Sequence, residues 1–138
     1  MEVKVKYIDG LQFVGETESG HAVVMDGEQE YGGNNTAVRP TELLLVGLGG
    51  CSGMDVVSVL KKKKQDIRGL EIHIKGKRAE EHPKKFTAID IEFVVTGRSI
   101  SEEAVKRAVN LSMEKYCSVK ATIEGCATIT FSYRIVEG

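Results

Sequence analysis

The run from Pro40 to Lys64 constrains the fold more than any other segment. Within it, Glu42-Leu43-Leu44-Leu45-Val46-Gly47-Leu48-Gly49-Gly50-Cys51 is apolar on nearly every side of a helix. Met54, Val56, Val57, Val59 and Leu60 carry the pattern on to the Lys61–Lys64 run. A helix that is apolar all round is buried, not laid on a surface, so the rest of the chain must supply layers to cover it. Pro40 suits the first helical position. The lysines fall where the negative end of a helix favours cations.

Four glycines, Gly47, Gly49, Gly50 and Gly53, bracket Cys51 inside this helix. Each costs about 1 kcal/mol relative to alanine in a helix interior. Close approach to the backbone by another helix, a second subunit or a ligand would offset that cost. Cys51 therefore sits where side-chain bulk has been removed.

The covering layers are visible as strands. Val3 to Ile8 and Leu11 to Val14 are short strands joined by the Asp9-Gly10 turn, and His21 to Met25 is a third. Asp26 to Ala37, with Gly32-Gly33-Asn34-Asn35, is a polar loop. After the first helix, Leu70, Ile72 and Ile74 alternate with Glu71, His73 and Lys75. Ile89, Ile91, Phe93 and Val95 alternate with Asp90 and Glu92, across a turn at Glu80 to Lys85. Such period-2 alternation marks half-buried strands.

Ser99-Ile100-Ser101-Glu102 has the spacing of a capping box and predicts a second helix. Its apolar face carries Val105, Ala108, Val109, Ser112, Met113, Tyr116 and Cys117. Gly125 precedes a last strand, in which Ala127, Ile129, Phe131, Tyr133 and Ile135 face one way. The order is βββ-α-ββ-α-β. It predicts a single α+β domain over residues 1–138, with mostly antiparallel sheets around two central helices.

Composition removes several function classes. With 19 Lys and Arg against 20 Asp and Glu, the net charge of -1 offers no basic field for nucleic acid or an acidic membrane. The N-terminus alternates like a strand and lacks a signal-peptide core. No stretch approaches the ~20 uninterrupted apolar residues of a membrane span. The expected location is the cytoplasm, where thiols stay reduced. The three cysteines are then catalytic, metal-binding or simply buried thiols. His21, His73 and His82 are scattered and predict no metal site.

Cys51 and Cys117 are the candidates for chemistry. If the two helices pack together, the thiols meet, and a disulfide becomes possible once their Cα atoms lie within ~7 Å. Cys117 faces the negative end of its helix, which opposes a thiolate. Cys51 lies beyond the first turn of its helix and needs an external cation. Of the two, Cys51 is favoured as the attacking sulfur and Cys117 as the one that resolves its sulfenic acid. Asp55, one turn beyond Cys51, reads as a structural or interface acid. Cys126 begins the last strand and reads as structural.

Arg39-Pro40-Thr41-Glu42-Leu43-Leu44-Leu45-Val46-Gly47-Leu48-Gly49-Gly50-Cys51 resembles the first cysteine motif of the OsmC/Ohr family. Glu114-Lys115-Tyr116-Cys117-Ser118-Val119 resembles the second, and the spacing and element order match along essentially the whole chain. The resemblance implies an intertwined homodimer whose sheets enclose the two helices. It implies that Cys51 attacks a hydroperoxide and that the resulting sulfenic acid condenses with Cys117. A dithiol reductant, of the lipoyl type in the organic-hydroperoxide branch, then restores both thiols, with no cofactor.

Family peroxidases also carry an N-terminal arginine and a glutamate ten residues before the first cysteine. Here no arginine precedes Arg39, and the glutamate position is Thr41, with Glu42 beside it. Arg39 and Glu42 are the candidates for the activating pair through the resemblance. As plain helix residues they are a cation and a first-turn carboxylate at the helix start. Glu42 lies nine residues before Cys51, about 13.5 Å along a helix axis. The non-enzymatic alternatives are a dimeric small-ligand-binding protein with an apolar pocket near the glycines, and a redox sensor that uses Cys51.

Overall fold

The computed structural model describes all of Met1–Gly138. The chain divides into two compact units, Met1–Leu44 and Leu45–Gly138.

In the first unit, β1 (Val3–Asp9), β2 (Gln12–Thr17) and β3 (Ala22–Met25) form an antiparallel sheet in that order. Val5 pairs with Gly15, Tyr7 with Phe13, and Phe13 with Met25. The alternation therefore puts Val3, Val5, Tyr7, Phe13, Val23 and Met25 on one face. The Tyr7 and Phe13 rings meet edge-on, with centroids 5.4 Å apart. Most of this apolar face is nonetheless open, and Val5 is 54% exposed.

The segment expected to be a plain loop is built around Asp26, which is only 2% exposed. Its carboxylate accepts hydrogen bonds from Gly27 N (2.7 Å), Thr36 N (3.1 Å) and Thr36 Oγ1 (2.5 Å), and a longer one from Asn34 N. The Thr36 hydroxyl is the largest influence, and together these donors hold the Asp26 carboxyl down at about 2. Gly33 is fixed by space: a Cβ there would lie 2.1 Å from the Gly27 carbonyl oxygen.

In the second unit, β4 (Asp66–Arg78), β5 (Phe86–Arg98) and β6 (Thr128–Glu137) form the other sheet, with β5 in the centre. The expected inward residues are inward: Ile91, Phe93 and Val95 have no exposed surface, while Leu70, Ile72 and Ile74 of β4 are half-buried beside them. One pairing differs from the antiparallel expectation, because β6 runs parallel to β5. A parallel pair needs a crossover of a dozen or more residues, and the helical segment between these strands supplies it.

Helix α1 (Pro40–Lys62) starts at the predicted proline. The expectation that it is buried all round holds on one side only. Leu48, Ser52, Gly53, Val56 and Leu60 are buried, whereas Val46 is 62% and Met54 75% exposed. Two of the glycines lie against the sheet: a Cβ on Gly53 would be 2.8 Å from Ile72 Cδ1, and one on Gly49 3.0 Å from Ile74 Cδ1. Gly47 and Gly50 face open space. By length and composition alone α1 could cross a membrane, contrary to the sequence expectation. Its contacts are those of a core helix, since Leu48, Val56 and Leu60 join Phe93, Val105 and Val109 in one cluster.

The second predicted helix is three pieces: α2 (Glu102–Leu111), a π-helical turn over Ser112–Tyr116, and α3 (Ser118–Ile123). The cap is Ser101, whose hydroxyl accepts from Ala104 N at 3.2 Å; Ser99 of the expected box does not cap. Val105, Ala108 and Val109 are buried as predicted, and Ala104 is buried with them. The wider π turn shifts the register, so Tyr116 points outward, 47% exposed, while Cys117 stays buried.

Candidate functional site

Cys51 projects from the middle of α1, and Cys117 from the junction of the π turn and α3. The structure brings them together. The two Sγ atoms and a carboxylate oxygen of Asp55 all lie within 4.8 Å of one another. All three cysteines are free, and Cys126 is exposed in the turn before β6, outside this group.

Cys117 does not face the negative end of a helix, as the uninterrupted-helix expectation had it. The π turn breaks the helix first, and Cys117 takes extended geometry (φ -72, ψ 101) as the N-cap of α3. Its sulfur accepts from Lys120 N at 3.4 Å. That donor favours a thiolate, but burial outweighs it, and Cys51 and Asp55 add to the burial effect. The Cys117 thiol is pushed up to about 11. It is a protonated, sheltered sulfur at neutral pH, which suits a resolving role better than an attacking one.

Asp55 is the residue whose part the sequence reading understated. It lies four residues after Cys51 on α1, so both point from the same helix face. Ser112, fully buried at the start of the π turn, donates from Oγ to Asp55 Oδ2 at 2.9 Å and more weakly to the Ser52 carbonyl at 3.4 Å. The i, i+4 spacing from Cys51 was the available signal for Asp55. Ser112 had none beyond its position on the apolar face.

A cavity of about 650 Å³ opens beside Asp55, lined also by Ser58, Val59, Lys62, Lys63, Leu111 and Tyr116. The basic run at the end of α1 is thus partly a cavity wall and not only a solvated helix end. Arg39 and Glu42 lie in the first unit, at the start of α1. Arg39 donates to the Ala37 carbonyl (2.9 Å) and Asn35 Oδ1 (2.8 Å), and Glu42 accepts from Arg39 N at 2.8 Å. Those contacts are the helix-start roles of a cation and a first-turn carboxylate. His21, His73 and His82 stand outside the cysteine group, and His73 contacts Glu71 and Glu92 on the sheet.

Comparison with known proteins agrees with this layout. The sequence profile of the family described as OsmC-like protein matches residues 32–132. Protein YhfA of Escherichia coli K12 is 46% identical over 136 residues, covering 99% of this chain and 98% of that protein. A crystal structure of a hypothetical protein from Aquifex aeolicus superposes with a TM-score of 0.87 at 36% identity, over 99% of this chain and 96% of that one. An organic hydroperoxide resistance protein, OsmC, from Legionella pneumophila shares the fold at a TM-score of 0.70 and 18% identity, over 96% of both chains.

Proposed function

The chain belongs to the OsmC-like protein family, and from that premise we propose that it is a cysteine-pair peroxidase. It reduces organic or inorganic hydroperoxides in oxidative-stress defence. The observation that carries this reading is the meeting of Cys51 and Cys117, whose sulfurs lie within 4.8 Å although 66 positions separate them (117 − 51). The name of the Legionella neighbour supports the substrate class.

The Cys51 thiolate attacks the distal oxygen of ROOH, breaking the O–O bond. Cys51 becomes a sulfenic acid and ROH leaves. The Cys117 sulfur then displaces the sulfenic oxygen as water and forms the disulfide. The sum is two thiols and ROOH giving one disulfide, ROH and H2O. A dithiol such as a lipoyl group returns the two electrons and two protons by exchange. Burial keeps the Cys117 thiol protonated, so Cys51 is the sulfur that meets the peroxide first.

The open apolar face of the first sheet and the bare stripe on α1 support a homodimer. Arg39 and Glu42 enter the proposal as an activating pair that acts across that dimer. The family match runs through the boundary between the two units, which supports one domain over 1–138. Three free thiols fit a cytoplasmic location.

The test is to treat reduced protein with cumene hydroperoxide and count thiols. Two of the three should disappear, leaving Cys126, and peptide mapping should find a Cys51–Cys117 disulfide. Retention of all three thiols overturns the reading. The cavity beside Asp55 favours a second reading, a binding protein for a small ligand. Native mass spectrometry of the purified chain with a bound small molecule, and no thiol loss, would support that instead.

A further inference from the structure

We infer that Cys51, Asp55 and Cys117 form a site for one thiophilic divalent cation of the zinc class, held by two sulfurs and one carboxylate oxygen. The three ligand atoms already converge to within 4.8 Å of one another. Around a tetrahedral zinc ion, with Zn–S near 2.3 Å and Zn–O near 2.1 Å, such atoms sit about 3.6–3.8 Å apart. Contraction of about an ångström closes the triangle. Two of the ligands share one face of α1 at i, i+4 spacing, and the third comes from the break between α2 and α3.

The charge balance points the same way. Asp55 is a half-buried carboxylate beside two thiols, and no lysine or arginine pairs with it. Its hydrogen-bond partner is the Ser112 hydroxyl. A carboxylate with no cationic partner beside two sulfurs leaves the balancing charge for a bound cation to supply. Each of two ligands is also held from behind, Asp55 by Ser112 and Cys117 by Lys120 N. Outer hydrogen bonds of this kind orient metal ligands.

Two sulfurs with one oxygen select zinc, cobalt or cadmium over magnesium or calcium. The cavity lined by Asp55 gives solvent and ions access to that carboxylate, and three protein ligands leave the fourth tetrahedral position to water. Binding displaces the proton of each thiol to solvent, and the loaded site carries one net negative charge. The ion and a Cys51–Cys117 disulfide exclude each other, because the disulfide uses both sulfur ligands. The site stands independently of the peroxidase reading, and it would make metal availability a regulator of that thiol pair.

The test is an anaerobic titration of the reduced, chelator-stripped full chain with cobalt(II), followed by displacement with zinc(II). A near-ultraviolet sulfur-to-cobalt charge-transfer band should grow and saturate at about one ion per chain, with visible bands of tetrahedral cobalt. Cys51→Ser and Cys117→Ser should each abolish saturation at that stoichiometry. Asp55→Asn, nearly isosteric, should keep the sulfur band but weaken binding at least about tenfold. Cys126→Ser should bind like the parent. The proposal is overturned if the folded parent gives no band, if Cys126→Ser loses it, or if Asp55→Asn binds as tightly as the parent. Thiol loss to cumene hydroperoxide in metal-free protein is read separately. Either result can therefore fail while the other stands.

Discussion

Cys117, Cys126 and Asp26 show how the immediate surroundings, not residue type, set chemical state. Cys117 is 4% exposed and its thiol is held at about 11, whereas Cys126 is exposed. Alkylation of metal-free reduced protein with iodoacetamide should therefore modify Cys126 first and Cys117 last, as followed by peptide mass spectrometry. Comparable labelling of Cys117 and Cys126 at pH 8 would contradict this. The raised pKa also carries a sign for stability. The folded state holds the Cys117 proton more tightly than the unfolded chain. That contribution is complete below the ordinary thiol value of 9.0 and is lost as pH rises through about 11. Asp26 runs the other way. Its carboxyl is depressed to about 2 from 3.8, so its contribution is present above pH 3.8 and lost as pH falls toward 2. The amides of Gly27, Asn34 and Thr36, which donate to Asp26, should lose hydrogen-exchange protection, relative to their intrinsic rates, over that acid window. Asp26→Ala should show the fast exchange already at neutral pH. Unchanged exchange in that variant would remove Asp26 as the organiser of its loop.

At the scale of elements, close backbone approach is the sharper constraint. A Cβ on Gly33 would overlap the Gly27 carbonyl, which is backbone and cannot turn aside. Gly33→Ala should cost about 3 kcal/mol, visible as a lower thermal midpoint. A midpoint within a degree of the parent would refute the overlap. This constraint was hidden in the sequence, where Gly32-Gly33-Asn34-Asn35 reads only as a polar loop; the carboxylate that gathers it lies at Asp26, across the turn. The strands were legible because alternation is a local property, and Ile89, Ile91, Phe93 and Val95 carry it without interruption. The cysteine meeting was legible through the glycine-flanked helix and the family-like motifs. The break at Ser112–Tyr116 was not. A π turn adds a residue to a helical turn while the apolar spacing on either side stays helical, so the pattern reads Tyr116 as inward and Cys117 as part of a helix end. Asp55 was visible as a neighbour of Cys51, but its meaning depended on Ser112, which reaches it from 57 positions away.

For the whole molecule, the decisive quantity is apolar surface that one chain leaves uncovered. In the first unit, Val3, Val5 and Tyr7 are 64%, 54% and 61% exposed along a single strand face. A sheet face this apolar is one that packs against another layer in a folded protein. In the second unit, Val46 and Met54 flank Gly47 and Gly50 on the open side of α1. The proposed homodimer covers such surfaces, and the glycines give a test whose sign separates the two cases. If Gly47 and Gly50 face solvent in the working protein, Gly47→Ala and Gly50→Ala should each stabilise it by about 1 kcal/mol through helix propensity alone. If a second copy packs against them, each added methyl meets a neighbouring backbone, and the variants should lose stability and dissociate. We expect the second outcome: a parent of about twice 15.1 kDa by light scattering, with Gly50→Ala and Met54→Lys shifted toward a single chain. A parent at 15.1 kDa with a more stable Gly50→Ala would leave α1 as a one-sided surface helix. It would also leave Arg39 and Glu42 without a route to a partner's cysteine.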